Sequence, residues 1–307
     1  MTSPPRPSTS TPAQARVVDE VLGWGRPRPV VPSGMVDELR GGFDAAFGAA
    51  RRGTPDGPPI RRTVPVRALV AGATSGSTGT ITHDRDTLRG ILLARSFARD
   101  VELGQTGEPE DVVAAVAGEV AAERPADPGS ASMWWNAAPR PSRDDIVAEV
   151  VGVMADLRSL WPPLTDAHLA VAVRRQLRTP AAGQALVLSA RPDVVLDSPR
   201  RDERARALVV VTRSGMPRPT EDRALARATA LVQTLADGRP PFRWVVLHLT
   251  DGRLEPEDLD PEVLLTTAAE LGRRAARYLA KDSSAGRSTA ADPEPDRSTS
   301  RVRGGAG

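Results

Sequence analysis

The sequence predicts an α/β fold in which helices flank a mixed central sheet, preceded by a mostly helical N-terminal half. Three observations lead there. Within the run Ala207 to Thr212, apolar residues fill both alternating faces of Leu208 to Val211, the pattern of a central strand covered on each side. After Pro180, short β-prone runs alternate with helix-period segments. Before it, helical patterns are separated by Pro/Gly-rich breaks at Arg26 to Gly34, Gly53 to Pro59 and Pro125 to Gly129. An apolar content of 40% over 307 residues is enough for a core without covalent staples.

In chain order, positions 1–16 are rich in Ser, Thr and Pro and are expected to be a disordered tail. Positions 17–180 form the mostly helical region. There, Arg62 to Gly72 and Thr78 to Thr82 have strand-like content around the loop Ala73 to Gly79. Asp86 to Leu103 sets Leu88, Ile91, Leu92 and Phe97 near helical spacing, and Glu108 to Glu123 follows as an Ala/Val-rich helix. Ser142 is placed to cap a helix through Leu160 that stops at Pro162 and Pro163; Thr165 repeats the device for Asp166 to Arg178. Positions 181–281 read as the α/β core. Its strands are Gln184 to Ser189, Pro192 to Asp197 and Ala207 to Thr212, with a polar loop at Ser198 to Ala205 before the last. A helix over Thr220 to Asp237, a strand over Phe242 to Thr250 and a helix over Pro261 to Lys281 complete it. Positions 282–307 are expected to be a second disordered tail.

The pI near 9.8 raises a nucleic-acid reading, but the net charge is only +2. The tails hold the excess, so the body is close to neutral and lacks the electrostatic signature of a strong polyanion binder. The basic set is 40 Arg to one Lys, Lys281. With abundant Ala, Gly and Pro, this is the composition of a GC-rich genome of the actinobacterial kind. Cysteine is absent, which removes disulfide frameworks, thiolate zinc sites and cysteine nucleophiles. The polar N-terminus has no signal-peptide core and no 18-residue apolar run occurs, so the expectation is a cytoplasmic chain without a membrane partner.

Chemistry concentrates in ARPDVVLD, positions 190–197, and RALVVVTRSG, positions 206–215. These strings and the order of elements around them resemble the PD-(D/E)XK nuclease superfamily, in its RecB/Cas4-like branch. The resemblance implies a restriction-endonuclease-like core in which one strand carries an Asp and the next carries an acid, a spacer and a Lys. The two acids would hold a divalent metal that activates water, and the Lys would stabilise charge developing on phosphate. Residues two apart on a strand share a face and can converge. Asp193 matches the first Asp. Aligned on Gly215, Ser214 stands at the usual Thr, Arg213 at the Lys and Val211 at the second acid. Arg213 keeps a charge that can hold phosphate, but it is bulkier than Lys and stays protonated; Val211 has no donor atom. The helix segment LRGILLARSFARDVEL, positions 88–103, resembles the one that bears a metal-binding His in RecB-like members, and here Ala94 stands in its place.

The missing acid has candidate replacements in Glu221 and Asp222 at the start of the next helix, where acids are also ordinary partners of the helix dipole. Asp197 shares a face with Asp193 but lies about 13 Å from it along the strand. The catalytic candidates are therefore Asp193, Arg213 and Glu221, with Asp193 and Glu221 as metal ligands. No cofactor is expected, apart from Mg²⁺ if the site is active.

Other motifs carry less. ATSGSTGT at Ala73 to Thr80 is similar to the phosphate loop of adenylate-forming enzymes but lacks the Lys that follows it there, since Ile81, Thr82 and His83 come next. His83, His168 and His248 show no metal-ligand spacing. Ser75 and Ser77 lie in no GxSxG elbow. Trp134 and Trp135 suit either a base-stacking platform or a core cap, and the cap is favoured. The expectation is a divergent, catalytically impaired nuclease-like protein acting as a DNA-associated or protein-interaction module. The alternatives are an active Mg-dependent nuclease with a relocated acid and a non-nuclease scaffold.

Overall fold

A computed structural model describes residues 11–18, 30–52, 62–72, 84–124, 130–163, 169–197, 206–215 and 217–288. The first element among the described residues is helix α1 (Pro12–Arg16), at the end of the segment expected to be disordered. Local and long-range bonds hold it there. Thr11 and Gln14 form a reciprocal capping box, Thr11 Oγ1 donates to the Ser159 carbonyl (3.1 Å) and Gln14 Nε2 to that of Arg158 (2.8 Å). Val17 and Val18 then enter the core.

Next come α2 (Met35–Arg51), β1 (Arg62–Pro65) and α3 (Val66–Ala71). The expected strand content of positions 62–72 is thus split into a strand and a helical turn, while Thr78 to Thr82 lies outside the described residues. α4 (Arg85–Glu102) is capped by Asp84, whose carboxylate accepts from the Thr87 N–H (2.8 Å). α5 (Pro109–Ala122), α6 (Ala131–Ala137) and α7 (Arg140–Leu160) follow. α7 starts at Arg140 behind Pro139, so Ser142 sits inside its first turn and is not the cap.

The helix expected over Asp166 to Arg178 is replaced by strands β2 (Leu169–Val173) and β3 (Leu177–Ala181). The segment LAVAV is a short, wholly apolar run, and the ladder to β5 makes it a strand, which overrides the helical reading of its flanks. β3 also accommodates Pro180, because it is an edge strand. β4 (Leu186–Ala190), β5 (Val194–Asp197), β6 (Arg206–Arg213), α8 (Pro219–Asp237) and β7 (Pro241–His248) fall close to their expected spans. β8 (Arg253–Asp258) was not expected, since RLEPED has almost no apolar content; α9 (Pro261–Ser288) runs beyond Lys281.

Two sheets result. One has the order β1-β4-β3, the other β2-β5-β6-β7-β8. In the larger sheet β6 is central, antiparallel to β5 and parallel to β7. The mixed α/β architecture and the helical N-terminal half are as the sequence predicts. Each face of the larger sheet buries its own apolar cluster. Val194, Leu196, Val245 and Leu247 pack with Leu93, Phe97, Val150 and Met154 from α4 and α7. Alternate residues Val195, Trp244 and Val246 pack with Leu39, Phe43, Leu231 and Leu271 from α2, α8 and α9. Burying each of these large side chains stabilises by about 1.5–3 kcal/mol. β1, from the N-terminal half, pairs parallel to β4, so the division at position 180 does not separate the hydrogen-bonded sheets. Among the described residues no helix is long and apolar enough to cross a membrane.

Candidate functional site

Five strand ends meet along one edge of the larger sheet. β6 and β7 run parallel and finish there, with Arg213 in register with His248. β2 finishes there too, Val173 pairing with Val194, while β5 begins there behind Asp193. β8 starts opposite His248 with Arg253. The β5–β6 ladder pairs Val194 with Val210 and Val195 with Val209; continued by one residue, it sets Asp193 across from Val211. The backbone thus brings Asp193, Val211 and Arg213 to the same sheet end, and α8, with Glu221 in its first turn, starts shortly after. Ligand sites of open α/β sheets characteristically lie at such carboxyl ends of parallel strands.

The described side chains there are dominated by guanidinium groups. Arg174, in the turn between β2 and β3, has φ of 49°, a left-handed conformation that costs a non-glycine residue about 1–2 kcal/mol. Its N–H donates to the Asp193 carbonyl (3.0 Å), and its own carbonyl accepts from Arg191 Nε (2.8 Å). These bonds lock the turn to the residue pair flanking Pro192. The Arg174 guanidinium and the Asp193 carboxylate are both largely covered, yet their closest approach, Nη1 to Oδ1, is 3.9 Å. Burial, and then the charge of Arg191, pull Arg174 down from the ordinary arginine value to about 10; Asp193 opposes the shift, Arg95 adds to it and Glu123 opposes it. The group remains cationic at neutral pH.

Helix α4 closes this side of the site. Gly90 lies against Ser214, where an added Cβ would press on the serine hydroxyl. One turn further, Arg95 is paired with Glu123 through both terminal nitrogens, one bond measuring 3.1 Å, while its buried Nε has no hydrogen-bond partner among the described residues. Ala94 packs against the core and offers no ligand.

The acids of α8 serve the helix entry. Asp222 is fully buried and its Oδ2 accepts from the Arg218 N–H (2.8 Å), while Glu221 pairs with the Arg218 guanidinium at 3.2 Å. His248 is fully buried, and Glu255 Oε1 approaches its Nε2 to 3.3 Å. That approach lacks hydrogen-bond geometry, and neither ring nitrogen has a partner among the described residues. Glu255 is shared with Arg253 at 3.2 Å.

The divalent ion implied by the nuclease resemblance fits this donor set poorly. Asp193 faces a guanidinium, Val211 supplies no oxygen, and among the described residues no group of three or more His, Cys, Asp or Glu side chains could hold a metal. The arrangement suits binding of an oxyanion better than activation of water. Trp135 is buried and Trp134 packs against the same core, in keeping with the favoured cap. His83, His168 and the loop Ala73 to Thr80 lie outside the described residues.

Sequence reasoning missed Arg174, Arg95, Glu123 and Arg191. Arg174 fell within an expected helix, and Arg95 and Glu123, 28 positions apart, pair with each other across two helices that no local pattern links to Arg174. The available signals were the Arg pair ending LAVAV and the Arg preceding Pro192. A separate cleft of about 260 Å³ opens among α3, α8 and α9. Its two cations are already engaged, Arg227 by Glu257 and Arg274 by Glu270 and the carbonyls of Leu69 and Val70.

No family model and no curated protein matches the chain. Among solved structures, the crystal structure of Scheffersomyces stipitis Rai1 is similar at 11% identity, covering 82% of this chain and 76% of that one, with a TM-score of 0.24. At that score the likeness carries no argument about fold or chemistry, and the site rests on its own geometry.

Proposed function

We propose that this chain is a divergent relative of the PD-(D/E)XK nucleases that holds DNA without cutting it. One observation carries the reading. The β5–β6 register brings Asp193, Val211 and Arg213 to one sheet end, where a nuclease of this kind gathers its two acids and its Lys, but Asp193 is opposed by Arg174. A valine in place of the second acid removes a metal ligand, whereas an arginine in place of the Lys retains attraction for phosphate. The near-neutral total charge makes such binding local and moderate in strength.

The test is fluorescence anisotropy with labelled single- and double-stranded DNA at low salt, run beside a cleavage assay with Mg²⁺ or Mn²⁺. Binding without cleavage is expected. Metal-dependent cleavage abolished by both Asp193→Ala and Glu221→Gln would replace this reading with an active nuclease using a relocated acid. Neither binding nor cleavage would leave the scaffold reading.

A further inference from the structure

We infer that Arg174, flanked by Arg95 and Arg191, forms an oxyanion site that takes a phosphodiester of the bound strand. The choice of nucleic acid as the source of phosphate rests on the function proposed above; the oxyanion site itself does not. Two further guanidinium groups, Arg95 on α4 and Arg191 in the β4–β5 connection, and two carboxylates, Asp193 and Glu123, act on the Arg174 guanidinium of the β2–β3 turn. Glu123 is committed to Arg95 through a two-pronged pair. Asp193 stays 3.9 Å from Arg174, beyond the 2.7–2.9 Å of a charge-assisted hydrogen bond. Among these five described groups the formal charge is +1, matching the single charge of a phosphodiester.

The backbone supports the same assignment. Arg174 is held at φ of 49° by the bonds to Asp193 and from Arg191. An observed left-handed residue, over-determined by its neighbours, is the kind of strain that functional sites retain. Burial and like charge also work against the Arg174 cation in the free protein, so an arriving anion relieves a standing repulsion. A fork of N–H donors fits two phosphate oxygens together.

The experiment uses the full chain, with two probes. Thermal unfolding is followed in sodium phosphate and in sodium chloride at equal ionic strength. Phosphate should raise the wild-type Tm by several degrees and leave Arg174→Gln unmoved, with Arg174→Lys in between. Anisotropy with a 5′-hydroxyl oligonucleotide should show roughly tenfold weaker binding for Arg174→Gln and a salt slope smaller by about one. Asp193→Asn, which removes a competing anion, should bind as tightly as wild type or more tightly.

A 5′-phosphorylated oligonucleotide separates the phosphate sources. Equal affinity with and without the terminal phosphate supports the diester. A preference for the phosphorylated end that grows as pH rises through about 6, where a monoester gains its second charge, would overturn the diester assignment. A phosphate-dependent Tm shift that requires Arg174, without DNA binding, keeps the oxyanion site and removes the DNA reading. If Arg174→Gln changes neither probe, the oxyanion site is wrong. Should Arg174→Gln fail to fold, Arg191→Gln at an exposed position carries the same test at a smaller effect, and its indifference to both probes overturns the site.

Discussion

Two arginine–aspartate pairs of similar accessibility have opposite electrostatic fates. Arg158 on α7 meets Asp100 on α4 through Nε (3.0 Å) and Nη2 (2.5 Å), and its Nη1 donates to the Gly107 carbonyl (2.8 Å). Every edge of that guanidinium is used, and the hydrogen bond to Asp100 raises its pKa above the ordinary value against the cost of burial. Arg174 meets Asp193 at 3.9 Å, and its pKa falls. The first pair clamps two helices together. The second holds a charge that the fold does not fully use, which is how a binding site differs from a brace. The raised pKa of Arg158 stabilises the fold at every pH below its ordinary value, and that contribution is lost only as pH climbs through the folded value. The depressed pKa of Arg174 has the opposite sign: its charge is a cost on the folded state throughout the range below about 10.

The sharpest way to break this contrast is to remove one member of each pair. Asp100→Ala strands a covered guanidinium and should destabilise by about 3 kcal/mol, read as a lower denaturation midpoint at unchanged m-value. Arg174→Gln should change stability by less than about 1 kcal/mol in chloride, and toward stabilisation, because it removes repulsion. A loss of 3 kcal/mol there would make Arg174 a structural brace. Double-mutant cycles come next: the Arg158–Asp100 coupling should reach about 2 kcal/mol, and the Arg174–Asp193 coupling should stay near 0.5 kcal/mol. A smaller effect follows from Gly90→Ala, which pushes α4 away from Ser214. It should cost about 1 kcal/mol and weaken oligonucleotide binding as Arg95 recedes. Smallest is Arg191→Gln, expected within about 0.5 kcal/mol of wild type, with binding reduced less than in Arg174→Gln.

How much of this was legible in the sequence follows the range of the forces involved. α4, α5, α8 and β4 through β7 announce themselves by local period, because each element's buried face repeats along its own residues. β2 did not. LAVAV is short, its flanks favour helix, and its strand character depends on β5 being beside it. β8 escaped for the same reason, since RLEPED earns its place through the ladder to β7 and the bonds of Arg227 and Trp244 to Glu257. At the site, Asp193 and Arg213 could be named from their strings. Arg95, Glu123 and Arg174 could not, because nothing local links them.

The sequence by itself determined the α/β class and the central position of Ala207 to Thr212, and it put Val211 and Arg213 at the positions where the resemblance to PD-(D/E)XK nucleases implies an acid and a Lys. These are matters of residue identity and short-range period. Tertiary structure alone decided that Asp193 answers to Arg174, because an ion pair between the β2–β3 turn and the start of β5 depends on strand pairing that no local pattern encodes. It also decided that Arg158 is satisfied and Arg174 is not. That difference is a matter of about an ångström in the approach of one carboxylate, set by how whole elements pack.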